Sequence, residues 1–410
     1  MAVGIEAINL YAARASLDVR QLFSARGLDL QRFGNLMMSQ KSINLPCEDP
    51  VTNGVNAARP VVAGLTPSQR DQIELLVVAT ESGLDYAKPI STYIHEYLGL
   101  NRRCRSFEVK HACYGGTAAL QMAASFVAAS SVPGVKALVI TAEAASVADR
   151  GTYWEPSQGA GAVAMLVSAQ PDILALDPGA SGYYTYEVMD TLRPRPDLEA
   201  GDTDLSLMSY LECLQRSYEL YCERVSGADI LDTFDYLVFH PPFAGMVKGA
   251  HRNLLRKQRD MGPETIERDF ASRMAPSLAY CSRIGNLYSG SLYAALCSLI
   301  DHLALDGARR IGMYSYGSGC GSEFYSGVIP AGARDKLAGL QLGAAIEARR
   351  PLTMEEYELV SDLSVERMAG MKDMVFDTPR YRAAYDDCLA GRGLLVLDRV
   401  TNFHRRYRWS

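Results

Sequence analysis

A cysteine stands between a basic pair and two glycines in the stretch Lys110-His111-Ala112-Cys113-Tyr114-Gly115-Gly116. A helical, alanine-rich pattern follows from Thr117, so the cysteine falls where a strand gives way to a helix. A thiol reacts as thiolate, and its ordinary pKa of about 8.5 falls at a helix N-terminus or beside a cation. Cys113 is therefore a candidate nucleophile. The alternative is a small core residue, since free cysteine is among the most buried residue types.

Two further reactive side chains stand at the ends of apolar strand patterns. Glu81 follows the run IELLVVAT, and His240 ends the run YLVFH before a proline pair. Functional residues of α/β proteins collect at the carboxyl ends of strands, and a partly desolvated carboxylate has a raised pKa that suits proton transfer. The alternative for Glu81 is an acid near the start of a helix beginning around Asp85. The alternative for His240 is a structural role.

An asparagine and a serine lie in turns that could face the same site. Asn286, in SRIGNLYSGS, either caps the following helix or positions a ligand carbonyl with its amide. Ser318, in YSYGSGCGS, lies in a glycine-rich turn after a strand, which brings backbone N–H groups close to a substrate. This turn is not a phosphate loop, because the pattern GxxxxGK[ST] is absent.

Short apolar strands alternate with longer helical patterns, which predicts a layered α/β architecture. The two halves share a weak pattern of one helix followed by two strands. In the first half these are the helix after Cys113, ALVITAE and AVAMLVS. In the second half they are the helix at GNLYSGSLYAAL, RIGMYSYGSG and GLLVLDRV. The polar region 187–205 is the candidate junction. The predicted strands are 73–80, 137–143, 162–168, 236–240, 310–319 and 393–400, and the predicted helices are 85–98, 117–130, 246–260 and 290–305.

Composition limits the classes of function. The 410 residues are 48% hydrophobic and 21% charged, as in a globular protein, and the net charge of −6 argues against a general nucleic-acid binder. Glu6 and Arg14 stand where a signal peptide would have its apolar core, and no apolar run reaches the roughly 18 residues of a membrane helix. Nine cysteines without a CxxC pair indicate neither a disulfide framework nor a zinc site. We therefore expect a cytoplasmic protein.

Taken together, these motifs resemble the 3-hydroxy-3-methylglutaryl-CoA synthases. The segments ESGLD, ACYGGTAAL, EPSQGAGAVAMLVS, FHPPFAGMVKGAH, GNLYSGS and YGSGCGSEF occur in that family's order and spacing along nearly the whole chain. The resemblance implies the thiolase fold, an α/β fold of two stacked mixed-sheet βαβ halves in an αβαβα arrangement, with the halves at 1–170 and 171–410. The runs ESGLDYAKPISTYIHEYLGL, RCRSFEVKHACYGGTAALQMA and DRGTYWEPSQGAGAVAMLVS resemble, more narrowly, the hydroxymethylglutaryl-acyl-carrier-protein synthases of polyketide β-branching.

The resemblance implies a role for each candidate. Cys113 would take an acetyl group as a thioester, and Glu81 would remove a proton from the acetyl methyl and later return one. His240 would position and polarise the acceptor β-ketone, while Asn286 and Ser318 would hold the acceptor thioester and line the site. The backbone N–H groups of Cys113 and of the Gly-Ser-Gly turn would stabilise the developing oxyanion.

Further residues are predicted to bind substrate or carrier. Gly317 and Tyr114, beside Ser318 and Cys113, complete the predicted substrate site. The acyl groups would arrive on the phosphopantetheine of an acetyl-acyl-carrier protein (donor) and a β-ketoacyl-acyl-carrier protein (acceptor), without any other cofactor or metal. Carrier proteins are acidic, so a basic surface would receive them. The predicted docking residues are Arg32, Lys248, Arg256 and Lys257; the alternative is that these are merely solvated charges.

Three other activities are weighed against this one. An ordinary hydroxymethylglutaryl-CoA synthase would use acetyl-CoA and acetoacetyl-CoA. A departure from such enzymes lies at 141–154, where Ala148 occupies the region of a usual tyrosine and Tyr153 and Trp154 come later, so the acceptor pocket would differ. A ketosynthase would need no base like Glu81, because it decarboxylates malonyl groups. A non-catalytic scaffold would have no use for the intact set of side chains. The resemblance also implies that the protein is a homodimer.

Overall fold

The computed structural model describes residues 2–144, 150–152, 154–195, 198–259, 261–365, 370–376 and 378–410. Its strands are β1 (Gly4–Ala12), β2 (Ala15–Asp18), β3 (Gln40–Ile43), β4 (Ile73–Ala79), β5 (Arg105–Val109), β6 (Lys136–Ala144), β7 (Ala160–Ser168), β8 (Leu174–Thr185), β9 (Thr191–Arg195), β10 (Leu198–Gly201), β11 (Tyr236–Phe239), β12 (Arg309–Gly317), β13 (Gly321–Ile329), β14 (Arg350–Pro351), β15 (Met374–Val375), β16 (Leu395–Thr401) and β17 (His404–Trp409).

The helices surround these strands. They are α1 (Val19–Arg26), α2 (Leu30–Leu36), α3 (Pro50–Ala63), α4 (Pro67–Asp71), α5 (Ser91–Leu98), α6 (Gly115–Ala129), α7 (Thr203–Arg224), α8 (Ala244–Gln258), α9 (Pro263–Arg273), α10 (Ala275–Leu278), α11 (Cys281–Ile284), α12 (Ser291–His302), α13 (Ala333–Ala338), α14 (Leu342–Glu347), α15 (Met354–Val365) and α16 (Arg382–Cys388). None of the helices in the described ranges is long and apolar enough to cross a membrane.

The central sheet contains two repeats of one topology. Its order is β11-β12-β13-β8-β1-β7-β6-β4-β5. In the first repeat β1 pairs antiparallel with β7, β7 antiparallel with β6, and β6 parallel with β4. In the second, β8, β13, β12 and β11 pair in the same three ways. The repeats join through two register pairs between β1 and β8. The second repeat has no counterpart of β5 among the described residues.

The layers follow the order αβαβα that the resemblance implies. Helices α6 and α12 pack together between the inner faces of the two half-sheets, α12 almost wholly buried and α6 along one side, and Thr117 Oγ1 on α6 lies 2.9 Å from the Tyr293 hydroxyl on α12. Helices α3 and α5 cover the outer face of the first half, and α7 and α8 cover that of the second. Each fully buried apolar side chain contributes roughly 1.5–3 kcal/mol. Representative core residues are Leu120, Val139, Leu296 and Met313 in the middle, and Val55, Val78, Leu237 and Val247 outside.

Most sequence-predicted elements are confirmed, with three differences. GLLVLDRV was expected to be the counterpart of β7 in the second half. It forms β16 in a separate sheet with β15 and β17, and the counterpart of β7 is β13. The helix predicted at 85–98 begins only at Ser91. The predicted junction 187–205 contains the hairpin of β9 and β10 and the start of α7. Residue 170 lies in the turn between β7 and β8, where the chain passes from one repeat to the other; a division into 1–170 and 171–410 as domains stays a prediction.

Candidate active site

Cys113 lies on the tight turn between β5 and α6, as the sequence predicted. The carbonyl of His111 accepts hydrogen bonds from the N–H groups of Tyr114 and Gly115. Ala112, just before the cysteine, has a φ of 39°. A positive φ at a non-glycine residue costs of order 1–3 kcal/mol and clusters at functional sites. The turn thus holds the thiol at the start of α6, one of the two central helices.

Glu81 reaches the same point from the end of β4. Its Oε1 atom lies 3.4 Å from the Cys113 Sγ atom. The alternative that Glu81 serves the N-terminus of a helix is wrong, because residues 81–90 form a loop and α5 begins at Ser91 without a side-chain cap. The carboxyl group therefore faces the thiol.

A second carboxylate, Glu143 at the end of β6, holds the Glu81 loop and was missed by sequence reasoning. The buried Glu143 accepts hydrogen bonds from Ser289 Oγ at 2.7 Å and Ser82 Oγ at 2.8 Å. It also accepts one from the Glu81 backbone N–H at 3.2 Å. Its position at the end of the strand pattern ALVITAE was a signal, but its three partners come from two other segments. Glu143 therefore fixes the backbone from which Glu81 acts.

The electrostatics of this pair differ from the sequence-based expectation. Burial raises the pKa of the Cys113 thiol well above its ordinary value, and the adjacent Glu81 raises it further. The expected lowering of the thiol pKa by the helix start and by Lys110 and His111 is therefore wrong. His111 is half-buried and its own pKa is lowered by burial. The resting site thus holds a protonated thiol, whose proton must leave as the sulfur attacks.

The carboxyl groups are suited to carry protons at neutral pH. Burial raises the pKa of Glu81, while the nearby Arg193 guanidinium partly offsets the effect and Glu143 adds to it. Burial likewise raises the pKa of Glu143. A carboxyl group whose pKa lies near the working pH exchanges protons in both directions, as an acid/base catalyst must.

His240 lies directly after β11, with only 1% of its surface exposed. Its backbone is fixed, since its N–H donates to Tyr314 O and its carbonyl accepts from the Tyr210 hydroxyl, both at 2.8 Å. Neither ring nitrogen has a hydrogen-bond partner within the described chain. Burial lowers the pKa of His240 to about 3. The ring is therefore neutral and can polarise a bound carbonyl through its N–H.

Asn286 enters from the turn before α12. Its Oδ1 atom accepts hydrogen bonds from the Tyr288 N–H at 2.8 Å and from Ser291 Oγ at 2.7 Å. The side chain therefore holds the first N–H of the short 3-10 turn Tyr288–Gly290 and the hydroxyl of the first residue of α12, and it is not the N-cap of α12. With its oxygen engaged, the amide NH₂ group is the part that can meet a ligand. The Tyr288 hydroxyl is buried without a partner in the described chain and was missed by sequence reasoning.

One cavity of about 1010 Å³ brings these side chains together. It extends to the surface beside exposed residues of α2 and of the start of α7. A volume of this size suits a small ligand or the arm of a carrier. Of the sequence-predicted residues, those that line it are Glu81, Cys113, His240, Asn286, Ser318 and Arg32.

Gly317 and Tyr114 lie behind the cavity wall rather than on it. A Cβ atom at Gly317 would lie 2.5 Å from the Tyr114 backbone nitrogen, so this glycine lets β12 approach the cysteine turn closely. The Tyr114 hydroxyl donates to Glu323 Oε2 at 2.9 Å. In the Gly-Ser-Gly turn, Gly319 N–H donates to Asp190 Oδ1 at 2.9 Å, so it is not available as an oxyanion donor.

The predicted docking residues fall in two places. Arg32, on α2, is exposed at the cavity. Lys248, Arg256 and Lys257 lie on α8 and do not line the cavity. Lys248 pairs with Glu267 at 2.6 Å, and Lys257 donates to the Gln215 side chain. Of the four predicted docking residues, Arg32 is thus the one that is both exposed and part of the cavity lining.

The hairpin of β9 and β10 supplies two further site residues that sequence reasoning missed. Arg193 Nη2 donates to Glu199 Oε2 at 2.8 Å, and Gln158 Nε2 donates to the same oxygen at 3.0 Å. The Arg193 guanidinium also lies over the Tyr288 ring, 5.1 Å from its centre. Trp154 lines the cavity nearby, whereas Ala148 and Tyr153 lie outside the described residues. The region 187–205, which was predicted to be a junction between the halves, therefore contributes residues to the wall of the site.

Helix α6 can approach the site only because it begins with glycine. A Cβ atom at Gly116 would lie 2.2 Å from the Ser289 carbonyl oxygen, whereas one at Gly115 would meet nothing closer than 3.5 Å. We expect Gly116→Ala to lower the free energy of unfolding by about 1–3 kcal/mol, the usual cost of overpacking. Gly115→Ala, one residue away, is the matched control and should be neutral. Urea unfolding compares them, and equal free energies for both variants would contradict the packing argument.

Two family models cover the chain. The model described as "Hydroxymethylglutaryl-coenzyme A synthase N terminal" matches residues 1–172, and the C-terminal model matches 174–264 and 253–407. The chain is 48% identical over 418 residues to the polyketide biosynthesis 3-hydroxy-3-methylglutaryl-ACP synthase PksG of Bacillus subtilis, covering 100% of this chain and 99% of that one. It is 36% identical over 361 residues to a hydroxymethylglutaryl-CoA synthase of Enterococcus faecalis, covering 87% and 91%.

Solved structures agree with these relatives. The HMG synthase of the curacin biosynthetic pathway, in complex with apo donor-ACP, superposes with a TM-score of 0.97 at 48% identity and 100% coverage of both chains. MvaS in complex with 3-hydroxy-3-methylglutaryl coenzyme A superposes with a TM-score of 0.86 at 32% identity, covering 100% and 99%. Within the described ranges no three His, Cys, Asp or Glu side chains converge as a metal site would require.

The predicted thiolase-like fold and the predicted family are thus both confirmed, and the chain is an acyltransferase of known class. It belongs to the hydroxymethylglutaryl-coenzyme A synthase family.

Proposed function

We propose that the chain is a hydroxymethylglutaryl-acyl-carrier-protein synthase of polyketide β-branching. The observation that carries this proposal is the 3.4 Å contact between the Cys113 thiol and Glu81 inside a cavity that also holds His240 and Asn286. The 48% identity to PksG and to the curacin synthase that was solved with its donor-ACP supports the choice of carrier proteins over coenzyme A.

The first step is acetyl transfer to the cysteine. The Cys113 sulfur attacks the acetyl thioester of the donor, the bond to the pantetheine sulfur breaks, and the thiol proton leaves with the pantetheine thiol. Glu81 accepts the hydrogen bond of the thiol in the resting site and can relay this proton. Attaching the acetyl group covalently makes the next step effectively intramolecular.

The second step forms the carbon–carbon bond. The Glu81 carboxylate removes a proton from the acetyl methyl group, and the backbone N–H groups of Cys113 and Ser318 stabilise the enolate. The enolate carbon attacks the β-ketone of the acceptor, whose oxygen His240 polarises through its N–H. The proton on Glu81 then passes to the alkoxide. Water finally hydrolyses the Cys113 thioester, which frees the thiol and leaves a 3-hydroxy-3-carboxymethyl group on the carrier.

Assembly and surroundings complete the proposal. Strand β5 is the outermost strand of the central sheet and lies directly before the cysteine turn. We place a second copy of the chain against this edge as a homodimer, because an edge strand offers unpaired backbone groups. All nine cysteines are free thiols, which fits a reducing cytosol.

Carrier preference tests the function. We expect acetyl and acetoacetyl groups to react faster from acyl-carrier proteins than from coenzyme A, measured as kcat/KM for the condensation. Arg32→Glu should lower kcat/KM for carrier-bound substrates by about tenfold, because reversing a rim charge slows encounter with an acidic partner. Arg334→Glu, an equal charge reversal at an exposed residue of α13, is the control. Preference for free acetoacetyl-CoA would instead support the primary-metabolism synthase.

A further inference from the structure

A second cavity of about 720 Å³ adjoins the Cys113 cavity: Glu81 lines both, whereas Cys113 lines only the first. Its walls are the loop that follows β4, the segment that leads into α3, and the turn between β16 and β17. Tyr86 and Phe403 line it and are strongly exposed, at 102% and 59%. The cavity therefore opens to solvent on its own, at residues that do not line the Cys113 cavity.

Among the described residues, those that line both cavities and so form the partition between them are Glu81, Lys110, Gln158, Arg193 and Glu199. Three of them are hydrogen-bonded to one another, since Glu199 accepts from both Arg193 and Gln158. The Arg193 and Glu199 side chains are 15% and 11% exposed. These three polar side chains stand between the two cavities, so their rotation would join the two spaces.

The chemistry of the acceptor fixes which part of it must cross this partition. A β-ketoacyl thioester has its sulfur at C1 and its reacting ketone at C3. If the pantetheine arm comes through the Cys113 cavity, C3 sits at Cys113 and Glu81, and everything from C4 onward points away from the arm. An acetoacetyl group ends at C4 and needs no further room. A polyketide chain continues, and beyond Glu81 the structure offers the second cavity.

Two carboxyl groups of the second cavity, Glu48 and Asp49, are engaged by the protein itself, so neither is left to bind a cationic ligand. Glu48 accepts hydrogen bonds from the Tyr11 hydroxyl at 2.9 Å and from the Leu45 N–H at 2.8 Å. Asp49 pairs with Arg405 at 3.1 Å. Among the remaining lining residues are apolar ones that suit a carbon chain, namely Pro50, Leu84, Tyr86, Met371 and Phe403.

We propose that the second cavity receives the acceptor's carbon chain beyond its β-carbon, and that the Arg193–Glu199–Gln158 cluster is the gate through which the chain passes. This inference rests on the proposed function. It names the substrate class that the site is shaped for: β-ketoacyl groups whose chains extend well past C4.

Ser364→Trp tests the chamber without touching the cysteine cavity. Ser364 lines the second cavity from α15, and within the described residues its hydroxyl donates to the Val360 carbonyl of its own helix. We compare two acceptors on one acyl-carrier protein, acetoacetyl and 3-oxododecanoyl, in kcat/KM. The variant should lower turnover of the 3-oxododecanoyl acceptor at least tenfold and that of the acetoacetyl acceptor less than twofold. Met371→Trp, from another wall, should act in the same way.

The control is Ser272→Trp on α9, which is exposed and likewise bonds its hydroxyl to the carbonyl four residues earlier. It should change neither acceptor. Acetylation of Cys113 in each variant shows that the fold is intact. Equal losses for both acceptors, or no loss for the longer one in either cavity-filling variant, would overturn the chamber while leaving the proposed function standing. If the wild-type chain turns over neither of the two carrier-bound acceptors, the proposed function is wrong, and so is the chamber.

Discussion

Glu81→Gln is expected to slow condensation by about 10²–10⁴-fold, the usual contribution of a positioned general base. The amide keeps the size and the hydrogen-bond acceptor that faces Cys113 at 3.4 Å, so the thiol should stay in place. Acetylation of Cys113 should slow much less, because the departing pantetheine sulfur can take the thiol proton, whereas an acetyl methyl is a far weaker acid. Intact mass follows acetylation, and product formation follows condensation.

Exchange of the acetyl methyl protons in deuterated water isolates the Glu81 step. The wild type should incorporate deuterium into the Cys113-bound acetyl group, and Glu81→Gln should not. Burial raises the pKa of Glu81, so the carboxylate is lost as the pH falls through that raised value. Exchange should therefore decline at a pH above that at which an ordinary glutamate, with a pKa of about 4.3, is protonated. Undiminished condensation of the acetyl donor in the variant would show that another group removes the methyl proton, and turnover of a malonyl donor with loss of carbon dioxide would point to a ketosynthase instead.

Sequence reasoning located the residues that follow strong local patterns. Glu81 and His240 end apolar strands, and Cys113 and Ser318 occupy glycine-rich turns beside strand ends. In this fold the carboxyl ends of β4, β11 and β12 converge on one cavity, so position relative to a strand already indicates position in the site.

The residues that were missed lack such local patterns. Arg193 and Glu199 belong to a hairpin whose sequence is polar and proline-containing, and their pairing becomes visible only when β9 and β10 are built. Glu143 ends a recognised strand, yet its importance depends on hydroxyl groups of Ser82 and Ser289, which lie far away in the chain. These residues could not be identified from local patterns, because their roles depend on contacts between segments that are distant in the chain.

Two expectations from the sequence were wrong, the lowered pKa of the Cys113 thiol and the assignment of GLLVLDRV to the second repeat. Both failed because they depend on contacts between segments that are distant in the chain. A helix start and two neighbouring basic residues predict a reactive thiolate, but burial and the carboxylate of Glu81, brought in from another strand, dominate at Cys113. GLLVLDRV reads correctly as a strand, but an apolar strand pattern does not say which sheet it joins. It pairs with β15 and β17, while the more polar segment of β13 completes the repeat.

Cys113→Ser is expected to have the larger effect, a loss of condensation of at least about 10⁴-fold. The buried surroundings that raise the pKa of the thiol would disfavour an alkoxide even more strongly, because a hydroxyl starts as the much weaker acid. Any oxygen ester that did form would also have less acidic methyl protons than a thioester, which would slow the Glu81 step as well. After incubation with the acetyl donor, the wild type should gain one acetyl group and the variant none.

Cys104→Ser is the matched control for that substitution. Cys104 is another free thiol, half-buried beside β5, and its sulfur donates to the Arg105 carbonyl rather than to a residue of the cavity. This variant should be acetylated and should condense as the wild type does. Peptide mapping that placed the acetyl group on any cysteine other than Cys113, or condensation that survived in Cys113→Ser, would remove the covalent step on which the mechanism depends. A thiol at 3.4 Å from the base would then have no explanation in catalysis.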